Sequence, residues 1–94
     1  MTVHLIGHAS TAAPGAVNAN LVSAIKSIGS GWWQGFESTW LVSTTKTTAQ
    51  IRDELSPHLR KTDRLVVVAC QGAAAWSGFS DMQSHWLSES LQAI

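Results

Sequence analysis

No carboxylate occurs before Glu37 in this 94-residue chain, and up to that point Lys26 is the only formally charged side chain. The amino-terminal third therefore offers no Asp or Glu to hold a hard cation such as Mg²⁺, which prefers oxygen ligands, or to serve as a carboxylate base. Cys70 is the only cysteine, which excludes an intrachain disulfide and any multi-cysteine zinc site and suits a reducing compartment. Charged residues make up 13% of the chain, against about 25% in an average soluble domain. The six basic and six acidic residues cancel, so the long-range positive field of a strong nonspecific nucleic-acid binder is missing and any such contact must come from a local patch. No run approaches the roughly 20 apolar residues of a membrane span, and no basic segment leads into a secretory apolar stretch. The expected location is the cytosol, with no membrane partner. Gly29, Gly31 and Gly35 fit neither a dinucleotide-binding nor a P-loop spacing, and no Gly-x-Ser-x-Gly elbow occurs.

What is present is apolar and aromatic: 45% hydrophobic residues, five of them Trp, in a length that makes one domain spanning residues 1–94. So much apolar surface on so small a chain predicts a self-association face. Thr2 to Ala9 alternates as a strand, with Val3 and Leu5 on one face and His4, Ile6 and His8 on the other. A loop over Thr11 to Gly15 follows, carrying Pro14. Val17, Leu21, Ile25 and Ile28 recur at helical spacing until Gly29. Trp32 to Phe36 and Thr39 to Ser43 read as a hairpin around Glu37-Ser38. Thr47 with Gln50 forms a capping box for a short helix through Ile51, Leu55 and Leu59, which Pro57 ends or kinks. Leu65 to Cys70 is an unbroken apolar run suited to a strand covered on both faces. A small-residue linker over Gly72 to Phe79 leads to Ser80 and Gln83, a second capping box, and a last helix through Trp86, Leu87 and Leu91.

The order βαββαβ plus a terminal helix predicts an α+β, ferredoxin-like fold: a four-stranded antiparallel sheet with two helices on one face and a C-terminal helix. Because two helices cover only one side of such a sheet, the terminal helix or a second copy must cover the other. The expected dimer face is the one carrying His4, Ile6 and His8, joined by alternate residues of Leu65 to Cys70.

Few residue patterns point to chemistry. His4 and His8 share a face but lie roughly 13 Å apart along the strand, too far for one ion within a subunit, which leaves a Zn or Ni ion shared by two copies of His8 across a dimer axis as an alternative to interface histidines satisfied by hydrogen bonds. Asp81 and His85 have helical i, i+4 spacing, but two ligands do not make a metal site, and the pair reads as exposed. Arg52, His58, Arg60, Lys61 and Arg64 form the one basic concentration, interleaved with Asp53, Glu54 and Asp63. Arg52, Arg60, Lys61 and Arg64 are its candidate phosphate contacts. The Trp residues read as core or interface anchors rather than base-stacking platforms.

Four blocks carry a family resemblance: Phe36 to Val42, Ile51 to Leu59, Asp63 to Val68 and Ala74 to Phe79. In that order they resemble the small bacterial proteins labelled SinR family, which in turn resemble the second CRISPR-associated protein and the VapD toxins. The resemblance implies a ferredoxin-like homodimer whose relatives bind RNA or DNA, as metal-dependent endonucleases or as scaffolds for DNA integration. It also implies strand one ending in Tyr-Asp-Leu, with the Asp pair meeting across the dimer around a divalent metal. This chain has His8-Ala9-Ser10 there, and a methyl group binds no metal. The leading expectation is therefore a nucleic-acid-associated or interaction scaffold with the metal-dependent nuclease site lost and no cofactor. One alternative is an endoribonuclease using His8 as general base with Ser10 beside it, because imidazole performs acid–base work without a metal. Another is a toxin–antitoxin or structural protein partner.

Overall fold

A computed structural model describes residues 2–10, 18–71 and 73–93. The expected loop at Thr11 to Gly15, Val17 in the first helical stripe and Gly72 in the linker lie outside the described residues. Along the chain run β1 (Thr2–Ser10), α1 (Ala19–Lys26), β2 (Gly31–Phe36), β3 (Thr39–Thr44), α2 (Thr48–Leu55) with a 3-10 turn at Ser56–His58, β4 (Asp63–Ala69), β5 (Ala73–Ala74), α3 (Asp81–Ser90) and β6 (Gln92–Ala93). The fold is α+β.

Local chemistry explains where the helices begin. Asn18 caps α1 by accepting from the Leu21 amide, while Thr47–Gln50 and Ser80–Gln83 form the expected reciprocal capping boxes at α2 and α3. Gly29, expected to stop the first helix, does more: a Cβ there would collide with the Ser43 carbonyl oxygen, so the chain leaving α1 passes β3 at backbone contact. Strands β1 to β4 form one antiparallel sheet in the order β2-β3-β1-β4. β1 is central, pairing with β3 from Thr2↔Thr44 to Gly7↔Thr39 and with β4 from His4↔Ala69 to Ser10↔Asp63. A bulge between Gln34 and Phe36 bends the β2–β3 hairpin. β5 and β6 are a separate parallel bridge that ties the end of the chain back to the segment leaving β4.

The pleat sends alternate side chains to two cores. On one face Ile6, Trp40 and Val42 pack with Leu21 and Ile25 of α1, Ile28, and Ile51 and Leu55 of α2. On the other, Val3, Trp33 and Leu41 pack with Leu87 of α3, flanked by Trp76, Phe79, Trp86 and Leu91. This arrangement corrects the face expected to receive a second subunit. His4 and Ile6, with 2% and 0% exposure, are sealed by this chain's own helices, because the apolar stripes of α1 and α2 occupy that side. The incompletely covered side is the opposite one, since α3 reaches the β2–β3 half of it and leaves Val66 and Val68 of β4 at 53% and 49% exposure. β4 is thus apolar on both faces, as expected, but it is an edge strand rather than one covered on both sides.

Candidate functional site: the carboxyl end of the first strand

β1 ends beside the start of β4, with Ala9 registered opposite Arg64 and Ser10 opposite Asp63. Gly7, Ala9, Arg64 and Val66 share the outward face, and with His8, Ser38 and Thr39 they line a shallow depression of about 310 Å³. The resemblance puts a metal-binding carboxylate at Ala9. The chain puts a methyl group there, with an exposed guanidinium directly across the strand pair.

His8 lies on the inner face and is committed to structure. The fully buried Trp40 donates its indole Nε1–H to His8 Nε2 over 3.1 Å, so that nitrogen's lone pair is occupied and the ring proton resides on Nδ1. Burial pushes the imidazole below its ordinary 6.5, with the Asp63 carboxylate opposing the shift more weakly. A neutral His8 satisfies Trp40; a protonated one has no acceptor to offer. The backbone of Ser10 closes the register of β1 with β4, and its side chain is outside the described atoms. His4 sits deeper in the core, where its Nδ1 has no hydrogen-bond partner among the described residues.

Asp63 is the residue here that sequence reasoning undervalued. In the sequence it counts only as a charge cancelling its basic neighbours. Its side chain is 3% exposed, and its Oδ2 accepts from the Arg60 amide (2.9 Å), Arg60 Nε (3.1 Å) and Asn18 Nδ2 (2.9 Å). The Arg60 side chain and amide, followed by Asn18, hold the Asp63 carboxyl well below the usual carboxylate range. Asn18 also donates to the His58 carbonyl, so one carboxylate and one amide join the start of α1, the turn after α2 and the start of β4. The Arg-x-x-Asp spacing, Arg60 to Asp63, was the available signal for the Arg60 contact; nothing local to Asn18 announces a contact with a residue 45 positions away.

The basic cluster divides once its pairs are resolved. Arg52 bonds Asp53 at 3.0 Å and Arg60 bonds Asp63 at 3.1 Å, while Lys46 bonds Glu54 at 2.7 Å. Lys61 and Arg64 are exposed and have no ion-pair partner among the described residues. His85 lies 3.9 Å from Glu89 rather than in a pair with Asp81, and both members are exposed. Among the described residues, no three His, Cys, Asp or Glu side chains gather into a cluster able to hold a metal ion. Burial raises the pKa of the Cys70 thiol, which disfavours the reactive thiolate.

Of the Trp residues, Trp40 and Trp33 are core anchors, with Trp76 and Trp86 partly buried. Trp32 departs from that expectation at 43% exposure, with the Lys26 ammonium 4.9 Å from its ring centroid. No helix among the described residues is long and apolar enough to cross a membrane. Comparisons with protein-family models, curated proteins and solved structures found no match.

Proposed function

We propose that this protein is a ferredoxin-like homodimer that contacts nucleic acid as a scaffold and does not cleave it. The sheet order β2-β3-β1-β4, with α1 and α2 on one face, supports the ferredoxin-like assignment, because it interleaves two βαβ halves in the manner of a split βαβ unit. The observation that carries the functional reading is the pairing of Ala9 with Arg64. A lone guanidinium repels Mg²⁺ and Mn²⁺ and attracts a phosphate oxygen, so the end of β1 favours a phosphodiester guest over a divalent cation. Lys61, in the turn before β4, is a second exposed cation three residues from Arg64.

Val66 and Val68 lie on the outward face that also carries Ala9 and Arg64. A second copy seated on these valines brings two Arg64 side chains toward one axis, where the resemblance places its paired carboxylates. The His8 general-base alternative lacks support from geometry, since the nitrogen that would accept a proton already accepts from Trp40. Incubation of the pure protein with single- and double-stranded RNA and DNA, plus Mg²⁺ or Mn²⁺, tests the reading. Substrate should emerge intact; cleavage that follows the protein through purification and vanishes in an Arg64→Ala variant would overturn it.

A further inference from the structure

β2 and β4 are the two edges of the sheet, and they are finished differently. β2 is bent by the bulge between Gln34 and Phe36, packs on α3 through Trp33 and Leu87, and has its Gln34 carbonyl taken by Gln83 Nε2 at 3.5 Å. Such devices keep a strand edge from pairing with another chain. β4 has none of them. Its register with β1 runs unbroken from His4↔Ala69 to Ser10↔Asp63, it contains no proline, and beyond Arg64 the run Leu65 to Cys70 carries no charge.

The register with β1 decides which backbone groups of β4 stay open. The Cys70 amide donates to the Val3 carbonyl at 2.8 Å, and bonded pairs alternate with non-bonded ones in an antiparallel ladder, so Val68, Val66 and Arg64 turn their amides and carbonyls to β1. Leu65, Val67 and Ala69 turn theirs to the other side, where β4 has no strand neighbour among the described residues. Along that side a hollow of about 270 Å³ separates Leu65, Val66 and Val67 from Thr48, Ala49 and Arg52, so α2 does not close the edge. A row of alternating donors and acceptors is matched by another extended chain.

We propose that the dimer forms edge to edge, with β4 pairing antiparallel to β4 of a second copy about a two-fold axis at Val67, so that one sheet runs through both chains. This rests on the homodimer proposed above, not on the nucleic-acid contact, and specifies how the copies join. Val67 against its counterpart and Leu65 against Ala69 of the second copy use every open amide and carbonyl of those three residues. Moving the axis to Val66 or Leu65 calls on the Asp63 amide, which already donates to the Arg60 carbonyl at 2.9 Å, and moving it toward Ala69 runs past the end of the strand. On the outer face Val66 comes beside Val68 of the second copy, so the exposed valines cover one another. Arg64 meets Cys70 of the second copy, and no like charges face each other across the new ladder.

Amide hydrogen exchange of the full chain, followed by NMR below and above the concentration at which light scattering shows a dimer, tests the pairing. Val66 and Val68 amides should be protected at both concentrations, whereas those of Leu65, Val67 and Ala69 should exchange about tenfold or more slowly only in the dimer. In a mixture of differently labelled copies, the Val66 Hα should show an intermolecular Overhauser effect to the Val68 Hα. Ala69 is exposed and its amide lies outside the ladder with β1, so Ala69→Pro should keep the fold and weaken association by about tenfold or more. A dimer in which Leu65, Val67 and Ala69 exchange as they do in dilute solution, or one undiminished in a folded Ala69→Pro variant, would overturn the edge pairing and leave the homodimer standing. A chain that stays monomeric at every concentration would overturn both.

Discussion

Trp40 has no exposed surface and one polar atom to satisfy, and His8 is the residue that satisfies it. Protonation of Nε2 turns that acceptor into a donor facing another donor. Because the folded chain holds His8 below 6.5, the unfolded chain binds more protons in the interval beneath that value. The stability is complete above pH 6.5 and declines as pH falls through the lowered folded value. His8→Gln, which retains an acceptor without a titrating ring, should flatten the slope of the melting temperature between pH 5 and 7; an unchanged slope would mean that His8 is not its source. Asp63 acts in the same direction at lower pH. Its carboxyl is depressed from 3.8, so its contribution is present above that value and is lost as acid protonates it in the fold. In Asp63→Asn the acid transition below pH 4 should lose amplitude, read by circular dichroism during acid titration.

Among the elements, β4 and α3 show most clearly what covers what. Leu87 fastens α3 to the outer face of the sheet at 3% exposure, so Leu87→Ala should cost about 2–4 kcal/mol in urea unfolding. Val66→Ala, on the uncovered half of that face, should cost under about 0.5 kcal/mol in the monomer. Equal effects would place α3 elsewhere. Both capping boxes, the four strands and the apolar doubling of β4 were legible in the sequence, because each rests on contacts within a few residues. Which face α1 and α2 would cover was not. Period-two alternation separates Val3 and Leu5 from His4 and Ile6 but is blind to which set the helices meet, and the apparent polarity of two histidines disguised the inner face. The roles of Asn18 and Asp63 were hidden for a related reason: they join positions 45 residues apart that only the folded chain brings together. Ala9 was visible at once as a departure from the family that the chain resembles, whereas the guanidinium opposite it required the strand pairing.

For the whole molecule, the exposed valines of β4 and the arginine beside them share one face, so the proposed association and the proposed nucleic-acid contact would be neighbouring events. Static light scattering at micromolar concentration should give a dimer for the natural chain. A Val66→Asp, Val68→Asp double variant should be a folded monomer, because both side chains are outside the intrachain core. Ile6→Asp should instead fail to fold, since it buries a lone charge beneath α1 and α2. A monomeric natural chain, or a double variant that still dimerises, would remove the second copy from this face.

The most direct measurement is fluorescence anisotropy of a labelled duplex or single strand, in Mg²⁺ and again in EDTA, comparing the natural chain with a Lys61→Glu, Arg64→Glu variant and recovering the nucleic acid on a denaturing gel. The account predicts binding that weakens with added salt, persists in EDTA, is lost on charge reversal and leaves the strand intact. Binding that requires Mg²⁺, binding indifferent to the two reversed charges, or a cleaved strand whose cleavage depends on this chain would contradict it.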